Sequence, residues 1–299
     1  MWFRTIHALQ LLPTPHSGPV DALGKIPSRS RSRQPRTALI TGASSGIGYE
    51  LAHLFAHDKS NLVLVARDRE KLLALAAKLE SRHGITVTAM PTDLADPDSP
   101  EQILADLRRR NISIDILINN AGFATSGPFA QTDVSTCFQL LQVNVVALTQ
   151  LSRLFLPGMI SRGFGRIMNV ASIAAFYPGP LTACYNASKA FVLSLSDALS
   201  NELRDTGVTV TTLCPGPTDT HFAERAGLTG TKAFTQNVMD AASVARIGYD
   251  AMLTGKPLAV TGLRNKLRML PLPWVPRKVL AHFSRKYHER AEQRAWMEY

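Results

Sequence analysis

The sequence predicts one α/β domain, a doubly wound parallel sheet of about seven strands with helices on both faces. Three observations predict it. Short β-rich runs alternate with longer segments of helical periodicity from residue 37 to about 262. The short runs are apolar along their whole length, as strands buried on both faces must be. A glycine-rich turn closes the first strand and opens the first helix, at the sheet edge where such folds bind ligands.

The elements follow in order. "TALI" (37–40) is the first strand, and "IGYELAHLFAH" behind it has helical spacing. "NLVLVA" (61–66) is the second strand, followed by the helix "REKLLALAAKLESR". "ITVTAM" (85–90) is the third, with a helix over about 99–110. "IDILI" (114–118) is the fourth, and a long helical stretch covers about 133–160. "GRIMNVA" (165–171) is the fifth strand, before a helix at 183–204. "VTVTTLC" (208–214) is the sixth. A helix near 241–254 leads to "PLAV", the seventh. Right-handed crossovers then give the open, doubly wound sheet.

With 299 residues, 45% of them hydrophobic and 19% charged, the chain is long and apolar enough for one large core. Its charge of +10 is uneven. Residues 1–36 hold six Lys/Arg and one acid, and residues 264–299 hold nine and three, so the body between them is close to neutral. Basic ends suit acidic surfaces or lipid headgroups. A nucleic-acid groove would need its charge on the body, so no nucleic acid is expected. Cys137, Cys184 and Cys214 are odd in number and widely spaced. They suggest neither a disulfide framework nor a metal motif, and hence a reducing, cytoplasmic compartment. No uninterrupted apolar run approaches the roughly 18 residues of a membrane span. The start "MWFRTIHALQLLP" is too short in its apolar part for a signal peptide. The acid-poor "GKIPSRSRSRQPR" fits an organellar presequence, a disordered tail or an overextended start. The expected division is a basic, disordered extension (1–36), a dinucleotide-binding catalytic domain (37–262) and a basic amphipathic segment (263–299).

The turn "TGASSGIG" (41–48) carries the first chemistry. Gly42 permits a tight turn, and Gly46 and Gly48 allow close approach of ligand and packing of helix on strand. The helix start offers free N–H groups to a phosphate, with Ser44, Ser45 and Ile47 beside it. The spacing differs from the G-x-G-x-x-G fingerprint, so its place between strand and helix carries the reading. After the second strand comes Arg67, whose guanidinium can grip a 2′-phosphate, then Asp68, an acceptor for ribose hydroxyls or a helix cap. NADP(H) is therefore favoured over NAD(H). Asp93 and Leu94 follow the third strand and suit the adenine. "NNAG" after the fourth strand places Asn119 and Asn120 to tie strands, and Ala121 and Gly122 to approach cofactor. Asn144 is an amide in an apolar helix and needs partners. Ser172 ends the fifth strand. Tyr185 and Lys189, four apart on a helix, project to one side. Each has a plainer reading alone: Arg67 as a solvated surface residue, Asp93 and Ser172 as caps, Tyr185 and Lys189 as a helix face, and Asn144 as an amide that satisfies backbone.

Together, TGASSGIG, NNAG, Asn144, Ser172, YNASK and "PGPTDT" (215–220) resemble the short-chain dehydrogenase/reductase family over about residues 36–262. The resemblance implies a Rossmann-type fold and a tetrad of Asn144, Ser172, Tyr185 and Lys189, with no metal. Tyr185 would be the proton donor in reduction and Ser172 the holder of the substrate oxygen. Lys189 would bind the nicotinamide ribose and lower the tyrosine pKa, and Asn144 would hold a water on a proton path. Pro215, Gly216, Thr218 and Thr220 would meet the nicotinamide end.

The stretch "HFAERAGLTGTKAFTQNVM" (221–239) suits a mobile loop with short helical pieces, and the resemblance implies that it lids the substrate. Phe222, Leu228, Phe234 and Met239 suggest an apolar wall, with Phe176 and Tyr177. The expected substrate is a carbonyl or secondary alcohol on a hydrophobic body, and the expected assembly a homodimer or homotetramer. The C-terminal segment mixes Leu, Trp and Phe with Lys and Arg, suiting a peripheral membrane contact, a cover for the cleft or a subunit contact. The competing functions are a non-catalytic nucleotide-binding scaffold, or a lipid-surface protein on the same fold.

Overall fold

The computed structural model describes residues 35–235 and 237–289. Almost all of the expected N-terminal extension and the last residues of the C-terminal segment lie outside them. In chain order the strands are β1 (Thr37–Thr41), β2 (Asn61–Ala66), β3 (Val87–Pro91), β4 (Ile116–Asn119), β5 (Gly165–Val170), β6 (Val208–Cys214), β7 (Thr218–Asp219), β8 (Met239–Asp240) and β9 (Leu258–Val260). Seven of them form one parallel sheet in the order β3-β2-β1-β4-β5-β6-β9, and β7 pairs with β8 apart from it. The chain runs from β1 to one edge, then returns to place β4 beside β1 and builds the other edge. The carboxyl ends of β1 and β4 are thus the switch point, where a crevice opens.

The helices are α1 (Gly46–His57), α2 (Arg69–His83), α3 (Ser99–Arg109), α4 (Val134–Leu141), α5 (Leu148–Arg162), α6 (Ala183–Glu202), α7 (Phe222–Arg225), α8 (Lys232–Thr235), α9 (Ala241–Leu253), α10 (Leu263–Met269) and α11 (Arg277–His288). Ile40 and Leu64 join Leu51, Phe55 and Leu72 in one core layer, while Leu39, Val63 and Val65 join Ile103, Leu107 and Leu151 in the other. Neighbouring strand residues thus enter opposite layers, which is why the strands are apolar at every position. Asp68 starts α2 by accepting the Lys71 N–H at 3.0 Å, and Gly84, at φ +62°, ends it. β3 begins two residues later than its apolar run suggests. So does β4, where Asp115 instead accepts the Thr37 N–H at 3.1 Å.

The long helix expected over 133–160 is interrupted. A π-helical stretch, Gln142–Ala147, joins α4 to α5 and carries Asn144. Such wide turns recur at functional sites. By length and composition alone Val134–Arg162 passes as a membrane span, although polar residues interrupt its apolar runs. Its α4 packs on α6 and its α5 on α3, β4 and β5.

The cysteine expectation needs correction. Cys137 on α4 and Cys184 at the start of α6 are joined by a disulfide, with Cα atoms 6.5 Å apart. Cys214 is free and buried. A separation of 47 residues gives no pairing signal, and only the packing of α4 on α6 brings the two together. The cysteine argument for a reducing compartment loses its basis. Closing a loop of this length removes about 4 kcal/mol of unfolded-chain entropy in the simplest treatment. Dithiothreitol and the double variant Cys137→Ser/Cys184→Ser should each lower the melting midpoint, by roughly 10 °C. Equal midpoints for oxidised, reduced and variant protein would show that the bridge contributes nothing.

Candidate active site

The site begins at the turn between β1 and α1. Gly42 adopts φ +67°, and a Cβ there would meet the Asn120 amide at 2.8 Å and the Ala121 backbone at 3.0 Å. A Cβ on Gly46 would meet Thr220 at 2.9 Å. These positions need glycine for close approach as well as for conformation. Ser45, the N-cap of α1, makes no side-chain cap bond. The first N–H groups of α1 have no partners within the helix, which leaves them for an anion. Gly48 stands behind the cavity wall, where a Cβ would run into the Gly42 carbonyl, so of its two expected roles it takes the packing one and not the approach to ligand. It packs the helix on the turn.

β4 is tied to this turn. The Asn120 amide donates to the Thr41 carbonyl at 2.9 Å and more weakly to Gly42, while the Thr41 hydroxyl accepts the N–H groups of Asn120 and Ala121. Asn120 lines the cavity, but its donors are committed to holding the turn. Asn119 points the other way and donates to Ser152 at 3.0 Å and Asn169 at 2.9 Å.

At the adenosine end, Arg67, Asp68, Lys71, Asp93 and Leu94 line the cavity. The Asp68 carboxylate caps α2 and pairs with Lys71 at 3.1 Å, and the hydrogen bonds to Lys71 hold it below the usual carboxylate range. Asp68 is thus engaged as a cap, whereas Arg67 is exposed at the cavity edge. Lys71 is a second cation there that the sequence reading missed. Its only signal is its position one helical turn after Arg67. Asp93 accepts the Ala95 N–H at 3.0 Å, shaping its own turn.

The tetrad residues converge. Ser172 caps the short 3-10 turn after β5, its oxygen accepting the Ala174 N–H at 3.1 Å. Tyr185 lies in the first turn of α6, and Lys189 one turn on donates to the Val170 carbonyl at 2.8 Å. The Lys189 nitrogen is 5.8 Å from the Tyr185 ring centre. Asn144 is fully buried behind the wall. Its oxygen accepts the Phe123 N–H at 3.1 Å, and its nitrogen donates to the Phe123 carbonyl at 2.9 Å and to Ser188 at 3.1 Å. A Cβ on Gly122 would meet both the Asn144 oxygen at 3.0 Å and the Lys189 nitrogen at 3.3 Å, so this glycine keeps the two side chains together. Asn186, next to Tyr185, was not foreseen. It holds the 173–182 segment through the carbonyls of Ala174 and Tyr177 and the Thr182 hydroxyl.

The electrostatics differ from the expectation that Lys189 depresses the tyrosine. Burial pushes the Tyr185 phenol up to about 12, opposed by a hydrogen bond with Ser172. The Lys189 ammonium is turned to a carbonyl, and burial lowers its own pKa to about 8. Tyr185 is thus held as a protonated donor at neutral pH. The lysine has a consequence for stability. Above about pH 8 the folded protein sheds this proton, while the unfolded chain keeps it to about 10.5. The unfolded chain then binds more protons, so stability should rise with pH between those values, by up to about 3 kcal/mol. Urea titrations of wild type and Lys189→Met between pH 7.5 and 9.5 check this. The variant should lack the rise, and an identical slope in both would assign it to other groups.

Pro215, Gly216, Thr218 and Thr220 stand opposite the tetrad. The Gly216 N–H donates to Thr261 at 3.2 Å, and a Cβ there would lie 2.2 Å from the Asn265 amide. One cavity of about 1580 Å³ joins all these groups. That exceeds an ordinary ligand pocket of about 300–1,000 Å³ and leaves room for a dinucleotide and a substrate together. Tyr177, Phe222, Leu228 and Phe234 form its apolar wall beside Tyr185, with the Phe222 ring 5.6 Å from the tyrosine. Phe176 and Met239 do not line it; both pack against the cores beneath the sheet. The wall is completed by Met269, Leu272, Val275 and Leu280, from the segment expected to lie beyond the catalytic domain. That segment therefore covers the cleft.

A family model described as short chain dehydrogenase matches residues 36–229. The very-long-chain 3-oxoacyl-CoA reductase of Phaeosphaeria nodorum is 42% identical over 178 residues, which cover 58% of this chain and 52% of that protein. The chain thus spans about half the length of that relative. A short-chain dehydrogenase from Sphingobium yanoikuyae in complex with NADPH matches with a TM-score of 0.72 at 37% identity, covering 78% of this chain and 90% of that one. The bulky-bulky ketone specific alcohol dehydrogenase from Comamonas testosteroni matches at 0.70 and 31% identity, covering 88% and 99%.

Proposed function

Because this chain belongs to the short-chain dehydrogenase/reductase family, we propose that it is an NADP(H)-dependent reductase of lipophilic ketones or aldehydes, working reversibly on the matching alcohols. It is an NAD(P)-dependent oxidoreductase acting on carbonyl and CH–OH groups. The observation that carries the finer reading is the meeting of Ser172, Tyr185 and Lys189 on one cavity wall, against the glycine turn and beside an apolar lining.

A nicotinamide cofactor held between the glycine turn and Thr218 would supply the hydride, and the protein supplies position and the proton. Ser172 orients the carbonyl oxygen, and Tyr185 gives that oxygen its proton as the alcohol forms. Lys189 and Asn144, held together by Gly122, stand behind the tyrosine as the positive and polar support of the exchange. Arg67 and Lys71 favour NADP(H), since the acid beside them is occupied as a helix cap. The apolar wall of Tyr177, Phe222 and Leu228 favours a hydrophobic substrate.

We read the chain further as a homodimer or homotetramer, a reading favoured by Phe138 on α4 and Phe191 on α6, 67% and 43% exposed on two helices that pack together. We also read its basic amphipathic C-terminal segment as a peripheral membrane contact. The function is tested with a panel of aliphatic, aromatic and steroid ketones and their alcohols. NADPH and NADH are each followed at the absorbance of the reduced nicotinamide, with Tyr185→Phe as the control.

A further inference from the structure

We propose that α10 and α11 seat the protein on an anionic lipid surface, and that lipophilic substrate passes from the bilayer into the active-site cavity through a mouth framed by Arg268, Phe283 and Tyr287. The passage of substrate rests on the reductase reading above, whereas the seating on lipid stands without it.

The sequence of this segment is one-sided in charge. Residues 263–289 hold seven Lys/Arg and one acid, Glu289, which pairs with Arg285 at 2.8 Å. Its apolar residues are also unusually placed. Leu263 and Leu267 on α10 and Leu270 at its C-terminal cap follow one another at helical spacing and are 72%, 57% and 39% exposed. Val279, Phe283 and Tyr287 do the same along α11, at 41%, 60% and 39%. Trp274, between the helices, is 65% exposed. Seven large apolar side chains turned outward on a short segment are far from the scattered single residues of an ordinary surface. Apolar stripes flanked by lysine and arginine are what an interfacial helix presents to acyl chains and anionic headgroups.

The cavity opens on the same surface. Arg268, Phe283 and Tyr287 are exposed and also line the cavity, so they stand at its rim. The Arg268 guanidinium lies 6.0 Å from the centre of the Tyr287 ring, which brings α10 and α11 together there. Behind the rim the lining is Met269, Leu272, Val275 and Leu280, an apolar path toward Tyr177 and Tyr185. A substrate dissolved in acyl chains can follow this path without crossing water.

The test uses the full chain and vesicles of phosphatidylcholine alone or mixed with phosphatidylglycerol. Wild type should float with the anionic vesicles, at least tenfold more than with the neutral ones, and should be released by high salt. Leu263→Ser/Leu267→Ser/Trp274→Ser removes apolar contacts that do not line the cavity, and should float at least tenfold less. Its turnover of a water-soluble carbonyl should equal wild type, which also shows that it is folded. With a long-chain ketone dissolved in anionic vesicles, wild type should exceed the variant at least tenfold. Equal flotation of variant and wild type, or loss of self-association rather than of flotation, would overturn the proposal, the second result making the face a contact between copies. Equal turnover of the vesicle-borne ketone would overturn the passage from the bilayer. If no carbonyl is turned over at all, the reductase reading fails and flotation alone still decides the seating.

Discussion

Replacing Tyr185 by Phe should lower kcat for carbonyl reduction by about 10²–10⁴-fold, the usual contribution of a positioned general acid. The dissociation constant for NADPH should stay within about threefold. The ring occupies the same space against Phe222, so the wall survives and only the hydroxyl is lost. What that hydroxyl contributes follows from its surroundings. Burial pushes its pKa up to about 12, so it carries its proton throughout the neutral range, as the proposed donor must. In the reverse direction the same phenol must first lose that proton. Alcohol oxidation by wild type should therefore gain rate as pH rises, while carbonyl reduction should not. Stopped-flow absorbance with the best carbonyl of the panel measures the loss, and quenching of protein fluorescence by NADPH measures binding. A variant that keeps its turnover would move the proton source away from Tyr185.

Arg67→Asp should cut the ratio of kcat/KM with NADPH to that with NADH by about 100-fold or more. A charge-assisted hydrogen bond to a phosphate is worth about 1.5–3 kcal/mol, and each 1.4 kcal/mol is tenfold. The substitution removes that bond, sets a carboxylate against the 2′-phosphate and offers an acceptor to the ribose hydroxyls. Asp68 cannot already do the last, because the Lys71 N–H and ammonium hold it at the start of α2. Lys71 itself should retain part of the phosphate preference, so Arg67→Asp/Lys71→Ala should go further than either change alone. Unchanged selectivity in the double variant would show that neither cation reads the phosphate.

The tetrad was legible through the resemblance that several motifs carry together, and the order of elements agrees with it. Tyr185 and Lys189 are one helical turn apart, and Ser172 is fixed by the end of β5. The order of strands and turns placed all three at one sheet edge. Asn144 was legible as an amide among apolar residues, but the π-helical turn that carries it was not, since nothing in its pattern departs from an α-helix. Lys71 and Asn186 were missed for a related reason. Each looks like an ordinary helix residue until its partners, Asp68 for one and the 173–182 segment for the other, are in place.

The sequence by itself determined the parallel sheet, its switch point, the glycine cradle and the candidate tetrad. The sheet and the cradle rest on periodicity and on spacing within a strand–turn–helix unit, whereas the tetrad rests on the resemblance that TGASSGIG, NNAG, Asn144, Ser172, YNASK and PGPTDT carry together. Tertiary structure alone decided three other matters. It buried the Tyr185 phenol and the Lys189 ammonium, which pushes the first pKa up and the second down. It brought Cys137 and Cys184 together across two packed helices. It folded the basic C-terminal segment over the cleft, where the residues that seem appended in sequence become the outer wall of the cavity. The physical reason is the same in all three: burial and contact between distant segments are properties of the packed chain, and no stretch of residues carries them alone.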